Sequence, residues 1–233
     1  MTPKTIMKTI AVIPAAGLGK RLGNKKKPFL MLSGMPLLAH TLRAFEECAS
    51  IDGIIITTAT EDIERCREEV VNKYDFSKVI AVVSGGKERQ ESIANALEEV
   101  GDTCEVVVVH DAARPLVTPE VIECTVKAAG ESGAAITAVP LKDTVKSVSG
   151  GRVQETLRRD TLRAVQTPQA FKSDILKRAY AQAKEDGFVG TDDSSLVERL
   201  GITVTIIDGN NSNIKVTTKE DIVIAECLLK EKL

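Results

Sequence analysis

Apolar and polar residues follow two different periods along the chain. Short runs rich in Val, Ile and Thr, bounded by Gly, Pro or Asp, alternate with stretches whose apolar residues recur every three or four positions. The first pattern is typical of β-strands and the second of amphipathic helices. Their alternation indicates repeated βα units around a parallel sheet. The predicted strands are TIAVIPA, GIIITTA, KVIAVVSG, CEVVVVHDA, AAITAVPL and ITVTIID.

The helical period is clearest in the segments PLLAHTLRAFEECA, EDIERCREEVVNK, ERQESIANALEEV and TPEVIECTVKAAG. In the last of these, Thr118 is positioned to cap a helix whose first residue is proline. A further helix is predicted to begin at Asp192 and Asp193, with Ser195 and Glu198 at capping-box spacing. The sequence therefore predicts an α/β fold, with a Rossmann-like, mostly parallel sheet flanked by helices.

One segment departs from the βα alternation. The run VKSVSGGRVQETLRR has few apolar residues and a Gly-Gly pair at its centre, which predicts two antiparallel strands joined by a tight turn. Because an isolated hairpin is marginally stable in water, it is expected to lie either on its own domain or on a second subunit, and we favour the subunit. We expect one domain over residues 1–233, with a protruding β-hairpin arm at about residues 142–160.

Composition and charge exclude several classes of protein. The 233 residues are 43% hydrophobic and 27% charged, and the net charge of -2 argues against a nucleic-acid partner. The apolar runs are too short to span a bilayer, and the first one leads into a glycine loop instead of a signal-peptide cleavage site. Five cysteines without a CxxC pair suit a reducing compartment. A cytoplasmic protein with no membrane partner is therefore expected.

The most informative polar segment follows the first predicted strand. Residues 12–32 read VIPAAGLGKRLGNKKKPFLML, with three glycines and five cations within eleven residues. Glycines after a strand let backbone N–H groups converge on a phosphate. The dinucleotide fingerprint is incomplete because Leu22 replaces its third glycine, and the P-loop spacing is absent. So many cations suit displacement at a triphosphate, although a solvated lysine-rich loop is the alternative.

A carboxylate follows another predicted strand. In VVVVHDAARP, Asp111 comes at the carboxyl end of a buried run, where ligands bind in open α/β sheets. One carboxylate completed by triphosphate oxygens and water suits Mg²⁺, so Asp111 is the predicted metal ligand, with capping of the next turn as the alternative. His110 is predicted to pack instead of binding zinc, because His40 is the one other histidine and no cysteine has ligand spacing.

Several segments together resemble one known family. PAAGLGKRL, KKPFL, GGKERQESI, VHDAARP, QTPQAF and SNIKVT occur in the order typical of 2-C-methyl-D-erythritol 4-phosphate cytidylyltransferases, in the nucleotide-diphospho-sugar transferase superfamily. The resemblance covers nearly the whole chain. It implies a Mg²⁺-dependent enzyme that transfers CMP from CTP to a polyol phosphate, 2-C-methyl-D-erythritol 4-phosphate, in non-mevalonate isoprenoid precursor synthesis. It also implies a homodimer in which the arm completes the partner's site.

The resemblance implies roles for individual residues. The nucleotide would be bound by Pro14, Ala15, Ala16, Gly17, Gly85, Gly86, Ser92 and Ala112, with Ser92 at the cytosine. The cations that would stabilise the transition state are Arg21 and Lys27. Those that would position the acceptor phosphate are Arg159 and Lys215. Further contacts to the acceptor would come from Arg114 and Thr144.

Some of these assignments have alternatives. The family usually reads P-K-Q-F or P-K-Q-Y where this chain has KKPF, so Lys26 is an alternative to Lys27. Ser212 replaces an acid that often precedes the family's N-[IF]-K, so no second carboxylate is assigned. Ser92 is alternatively a helix-start serine bonded to its own backbone. The alternative activities are ribitol 5-phosphate cytidylyltransferase, a nicotinamide-dependent oxidoreductase, and a non-catalytic nucleotide- or RNA-binding module.

Overall fold

A computed structural model describes residues 8–17 and 26–231 of the chain. Within these residues, most strands belong to one sheet and two short pairs stand apart from it. The strands are β1 (Lys8–Pro14), β2 (Met31–Leu32), β3 (Met35–Pro36), β4 (Gly53–Thr58), β5 (Val79–Ser84), β6 (Cys104–Val109), β7 (Ala134–Pro140), β8 (Lys146–Ser149), β9 (Arg152–Thr156), β10 (Arg163–Lys172) and β11 (Thr205–Asp208).

The seven-stranded sheet has the order β11-β7-β10-β6-β1-β4-β5. All neighbours are parallel except β10, which is antiparallel to both β6 and β7. The six strands predicted from sequence and the mostly parallel sheet are confirmed. The prediction missed β10, because RAVQTPQAFK contains a proline and is not a continuous apolar run. The strand tolerates this proline because its register against β7 shifts between Val165 and Gln169.

Helices cover both faces of the sheet. They are α1 (Leu37–Glu47), α2 (Ile63–Cys66), α3 (Arg89–Glu98), α4 (Pro119–Ser132), α5 (Ser173–Glu185), α6 (Asp193–Glu198) and α7 (Lys219–Lys230). The four predicted helical segments are confirmed, although the second has mixed geometry. It begins as a 3₁₀ turn at Thr60–Asp62, continues as α2 and ends as a π-helix at Arg67–Asn72.

Two predicted helix caps differ from the structure. Helix α4 begins at its proline as expected, but the Thr118 hydroxyl makes no capping hydrogen bond. Helix α6 also begins where predicted, whereas the capping box of Ser195 and Glu198 is wrong. The Asp192 carboxylate accepts the backbone N–H of Ser195 at 3.0 Å. Asp192 is therefore the N-cap, and Ser195 is the third residue of the helix, where its amide needs that acceptor.

The core around the sheet has two layers because the parallel strands are buried on both faces. In β6, Val106 and Val108 pack on the layer formed with α1 and α4, while Val107 and Val109 pack on the layer formed with α3 and α5. All four valines have no exposed surface. Burial on both faces explains why this strand is a continuous apolar run in the sequence. That both layers belong to one domain over residues 1–233 stays a prediction.

The predicted hairpin arm is confirmed. Strands β8 and β9 pair antiparallel in a sheet of their own, and every residue of both is exposed. The turn between them uses Gly150 at φ 55° and Gly151 at φ 74°, a left-handed conformation that glycine adopts without steric cost. Val148 and Val153 are 66% and 60% exposed. These two valines are thus not buried by their own chain.

Two further observations concern the described part of the chain. No helix within it is both long enough and apolar enough to cross a membrane. The five cysteines are all free, three of them buried and two exposed. None of them forms a disulfide, which agrees with the absence of a paired cysteine motif in the sequence.

Replacing Phe171 by alanine tests how strongly β10 contributes to the core. Phe171 has no exposed surface, so we expect its removal to lower the free energy of unfolding by about 3–5 kcal/mol. Val165 on the same strand is 43% exposed, and Val165→Ala is expected to cost less than about 1 kcal/mol. Urea denaturation of both variants measures the difference, and equal losses would contradict the prediction.

Candidate active site

A cleft of about 760 Å³ opens at the carboxyl ends of β1, β4, β5 and β6. Its walls are residues 14–17, 59–61, 85–89, 91–92 and 111–113, together with Lys27, Pro28, Leu37 and Lys215. Ligands of open α/β proteins bind at this edge of the sheet. The volume falls within the range of about 300–1,000 Å³ that is usual for small-molecule sites. The cleft is therefore the candidate active site.

The structure brings together most of the predicted site residues. Those that line the cleft are Pro14, Ala15, Ala16, Gly17, Lys27, Gly85, Gly86, Ser92, Asp111, Ala112 and Lys215. Arg21 lies outside the described residues. Three others do not line the cleft of their own chain: Arg114, Thr144 and Arg159. The chemical roles of all these residues stay predictions.

The floor of the cleft depends on two glycines after β5. A Cβ atom added at Gly85 would lie 2.5 Å from the Ala16 Cβ, and one added at Gly86 would overlap the side chain of Glu91. Neither position has room for a side chain, because the loop after β1 and the start of α3 pack directly against this backbone. The glycines therefore leave a bare backbone surface facing the cleft.

Ser92 makes the local hydrogen bonds that its alternative interpretation predicted. Its side chain is buried, its hydroxyl donates to the backbone oxygen of Glu88 at 3.0 Å, and it accepts the Gly86 N–H at 3.0 Å. The hydroxyl thus fixes the glycine backbone at the start of α3. A contact between Ser92 and cytosine stays a prediction.

The two neighbouring lysines have different surroundings. The Lys26 ammonium lies 2.6 Å from Asp62 Oδ1 and 3.6 Å from Glu61 Oε1, and its hydrogen bond to Asp62 raises its pKa. Lys27 instead begins the 3₁₀ turn Lys27–Phe29 and lines the cleft. This geometry favours Lys27 over Lys26 as the cation that acts on a ligand.

Asp111 is a buried carboxylate surrounded by cations. Its Oδ1 accepts from Arg89 Nε at 3.0 Å, and its Oδ2 lies 2.8 Å from Lys215 Nζ and 3.7 Å from Arg114 Nε. Burial opposes the charged form, but Arg89, Lys215 and Arg114 outweigh it and hold the pKa of Asp111 well below its usual range. Asp111 is therefore a fixed negative charge at neutral pH.

Arg89 is the site residue that sequence reasoning missed. Besides Asp111, its guanidinium contacts Asp193, with Nη2 and Oδ2 2.7 Å apart. Burial lowers the pKa of Arg89, but Asp193 and Asp111 together raise it above its ordinary value. The one available signal was its place in GGKERQESI, directly after a strand that ends at the cleft.

His110 packs behind the cleft, as predicted. It is fully buried against the Phe45 ring, with the ring centroids 5.1 Å apart. Its Nε2–H donates to the Arg114 backbone oxygen at 3.2 Å. Its Nδ1 accepts from the Thr167 hydroxyl at 3.1 Å, and that hydroxyl accepts the Asp111 N–H at 3.0 Å. Burial lowers the pKa of His110 to about 4, so the ring is neutral at pH 7.

The side chains in the cleft can supply little of a metal's coordination shell. Within residues 8–17 and 26–231, no group of three or more His, Cys, Asp or Glu side chains could hold a metal ion. Asp111 has unused lone pairs beside its ion pairs, so it fits as one hard oxygen ligand. Mg²⁺ would suit this site if the phosphates of a nucleotide and water supplied its other ligands.

Fixed cations at the ligand-binding end of a parallel sheet suit transfer of a phosphoryl group, because they stabilise the charge that develops on its oxygens. The family model described as IspD: 2-C-methyl-D-erythritol 4-phosphate cytidylyltransferase matches residues 9–231. The chain belongs to this family, and it is accordingly a nucleotidyltransferase. The resemblance inferred from sequence motifs is confirmed.

Individual relatives agree with the family assignment. A 2-C-methyl-D-erythritol 4-phosphate cytidylyltransferase from Geobacter metallireducens is 46% identical over 231 residues, covering 97% of this chain and 100% of that protein. Another, from Alkaliphilus metalliredigens, is 48% identical, and the match covers 97% of this chain and 94% of that protein. The crystal structure of 4-diphosphocytidyl-2C-methyl-D-erythritol synthase from Anaerococcus prevotii superposes with a TM-score of 0.86, at 32% identity, and covers 97% of both chains.

Substituting the two lysines separately tests which of them acts in the reaction. We expect Lys27→Met to lower kcat for cytidylyl transfer by about 10²–10³-fold, because it removes a cation that lines the cleft. Lys26→Met is its matched control and should lower kcat by less than about tenfold. Thermal unfolding checks that both variants are folded. A larger loss of kcat in Lys26→Met would reverse the assignment.

Proposed function

We propose that the cleft transfers CMP from CTP to 2-C-methyl-D-erythritol 4-phosphate, giving 4-diphosphocytidyl-2-C-methyl-D-erythritol and pyrophosphate. Membership of the family over residues 9–231 supports this activity. The observation that carries the proposal is Asp111, which lies beside Arg89 and Lys215 at the cleft end of β6. A ribitol 5-phosphate acceptor is not favoured by the family or its relatives.

The reaction is a direct in-line displacement. A phosphate oxygen of the acceptor forms a bond to the α-phosphorus of CTP while the bond from that phosphorus to the bridging oxygen of pyrophosphate breaks. Two anions must approach each other, so the main task of the protein is to position them. Lys215 and Arg159 are the cations proposed to hold the acceptor phosphate. Arg21 and Lys27 are proposed to neutralise the charge that develops at the α-phosphorus.

We assign the metal-binding role to Asp111 and propose Mg²⁺ as the ion. Asp111 would hold it together with the phosphates of CTP, and the bound ion would supply positive charge to the triphosphate. The Ser212 side chain is a hydroxyl, not a carboxylate, and it does not line the cleft. Among the described residues, we therefore assign one carboxylate, that of Asp111, to the metal.

Recognition of the base is assigned to the bare backbone at Gly85 and Gly86. Backbone N–H and C=O groups close to the ligand can pair with the polar edge of cytosine, and the crowded floor limits the size of the base. Arg114 and Thr144 are proposed to contact the acceptor. For Arg114, the support is its guanidinium 3.7 Å from Asp111 Oδ2.

We further propose a homodimer in which each arm completes the partner's cleft. The support is that Thr144 and Arg159 are exposed and lie outside the cleft of their own chain. The Arg159 guanidinium donates to the Lys142 backbone oxygen, which anchors it at the base of the arm. The exposed Val148 and Val153 would be buried against the second subunit.

The cytoplasm is the proposed location, and the support is that all five cysteines are free, as is usual in a reducing compartment. The enzyme is also proposed to consist of one domain over residues 1–233. The two core layers pack on opposite faces of a single sheet. Removing either layer would expose the strand residues that it covers, so the two layers are not expected to fold separately.

A substrate grid tests the proposed function. Pyrophosphate release is measured with Mg²⁺ for CTP, UTP, ATP and GTP against methylerythritol 4-phosphate, ribitol 5-phosphate and no acceptor. We expect release with CTP and methylerythritol 4-phosphate, because the cleft floor and cations are assigned to that pair. A preference for ribitol 5-phosphate would retain the mechanism but change the pathway. If the folded protein released no pyrophosphate with any pair of substrates, the proposed transferase function would be wrong.

Mixing two inactive variants tests the role of the arm. A heterodimer of Arg159→Ala and Lys27→Met subunits would contain one cleft with both cations intact, so a random mixture should regain about one quarter of wild-type activity. The matched control mixes Lys27→Met with Asp111→Asn, which impair the same cleft and should not complement. No recovery in the first mixture, after subunit exchange is verified, would show that the arm serves its own chain.

A further inference from the structure

A second buried carboxylate lies behind Asp111, and Arg89 joins the two. Arg89 Nε contacts Asp111 Oδ1 at 3.0 Å, and Arg89 Nη2 contacts Asp193 Oδ2 at 2.7 Å. The other oxygen of Asp193 accepts from the Tyr180 hydroxyl at 2.5 Å. Asp193 and Tyr180 are 1% and 7% exposed, and neither lines the cleft. The four side chains form a continuous network from α5 to the cleft.

The network connects four separate parts of the fold. Arg89 is the first residue of α3, Asp193 is the first residue of α6, Tyr180 lies on α5, and Asp111 follows β6. Each partner is therefore held by a different element. A planar guanidinium can satisfy carboxylates on two sides at once, which an ammonium on a flexible stem does not do with the same geometry.

The two cations that contact Asp111 most closely are held very differently. In the described part of the chain, the ion pairs of Lys215 involve Asp111 alone, and its side chain is 44% exposed. When Lys215 moves to an incoming phosphate, Asp111 still has Arg89 as a counter-cation. If Arg89 moved, it would leave Asp193 as a buried charge without its cation, which is strongly unfavourable. Arg89 is therefore held in place by Asp193, a buried carboxylate that does not line the cleft.

We propose that Arg89 is a positioning residue, a fixed counter-cation that keeps the Asp111 carboxylate oriented into the cleft when Lys215 moves to a substrate phosphate. Asp193 and Tyr180 act through Arg89 by fixing its guanidinium. The inference deepens the proposed function and rests on it, because it assigns Lys215 to a phosphate of the bound substrates. Arg89 itself stays on its two carboxylates throughout the reaction.

Steady-state kinetics test the proposal with a double-mutant cycle. Arg89→Lys keeps the charge but loses the two-sided contact, and it should lower kcat/KM by about tenfold or more. Tyr180→Phe removes a hydroxyl outside the cleft and should lower kcat/KM by about threefold or more. The double variant should lose less than the product of the two effects, since both act through one guanidinium. Multiplicative losses would overturn the role of Tyr180.

Arg199→Lys is the matched control, because Arg199 pairs with Asp186 at 2.6 Å on the surface and away from the cleft. It should leave kcat/KM unchanged and combine multiplicatively with Arg89→Lys.

Thermal unfolding separates a positioning role from a purely structural one. If Arg89→Lys and Tyr180→Phe lowered the unfolding temperature while the folded enzyme kept wild-type kcat and KM, the proposal would be wrong.

A spectroscopic readout does not depend on turnover. In ¹⁵N-labelled wild-type protein, assigned with Arg89→Lys and Lys215→Arg, 2-C-methyl-D-erythritol 4-phosphate should shift the Lys215 side-chain resonance, because Lys215 is assigned to the acceptor phosphate. The Arg89 Nε–H should keep its protection from exchange within about twofold. Loss of that protection on adding 2-C-methyl-D-erythritol 4-phosphate would overturn the proposal. If the wild type released no pyrophosphate in the substrate grid, the proposed function would fail, whereas an active wild type with an unaffected Arg89→Lys would refute this inference alone.

Discussion

The architecture of the cleft depends on how one buried negative charge is neutralised. Asp111 lies where a strand with buried faces on both sides ends, and an uncompensated carboxylate there would be strongly destabilising. Its cations arrive from three directions: Arg89 from α3, Lys215 from the segment before α7, and Arg114 from the turn after β6. Burial of the ionised carboxylate therefore requires that these segments come together in the folded protein. The same requirement assembles a cationic surface for phosphates.

The fold could largely be predicted from the chain, because parallel strands covered on both faces leave a continuous apolar run. β6 illustrates this, since its successive valines face opposite layers and all are buried. β10 could not be found in this way. It runs antiparallel between two neighbours, and its polar residues and proline lie where its register shifts. Its place is determined by contacts with distant strands and not by its own composition.

The same distinction separates the predicted and the missed parts of the site. Asp111 stands out locally, because an acid directly after an apolar run has few structural explanations. Arg89 has no such local signal, since its partners Asp111 and Asp193 lie 22 and 104 residues away in the chain. The choice between Lys26 and Lys27 also depends on a distant contact, because Lys26 pairs with Asp62, which lies 36 residues away in the chain. Long-range ion pairs are therefore what single-sequence reasoning misses here.

The reversed direction of β10 has a consequence for how the arm can change. Because Pro140 at the end of β7 pairs with Arg163 at the start of β10, the chain leaves and re-enters the sheet at one point, on the same edge as the cleft. The arm is thus an insertion between two adjacent strands. Lengthening or shortening it would leave the sheet register intact, and the added cost of loop closure grows slowly with length. The reach of the arm can therefore evolve without altering the sheet that carries the cleft.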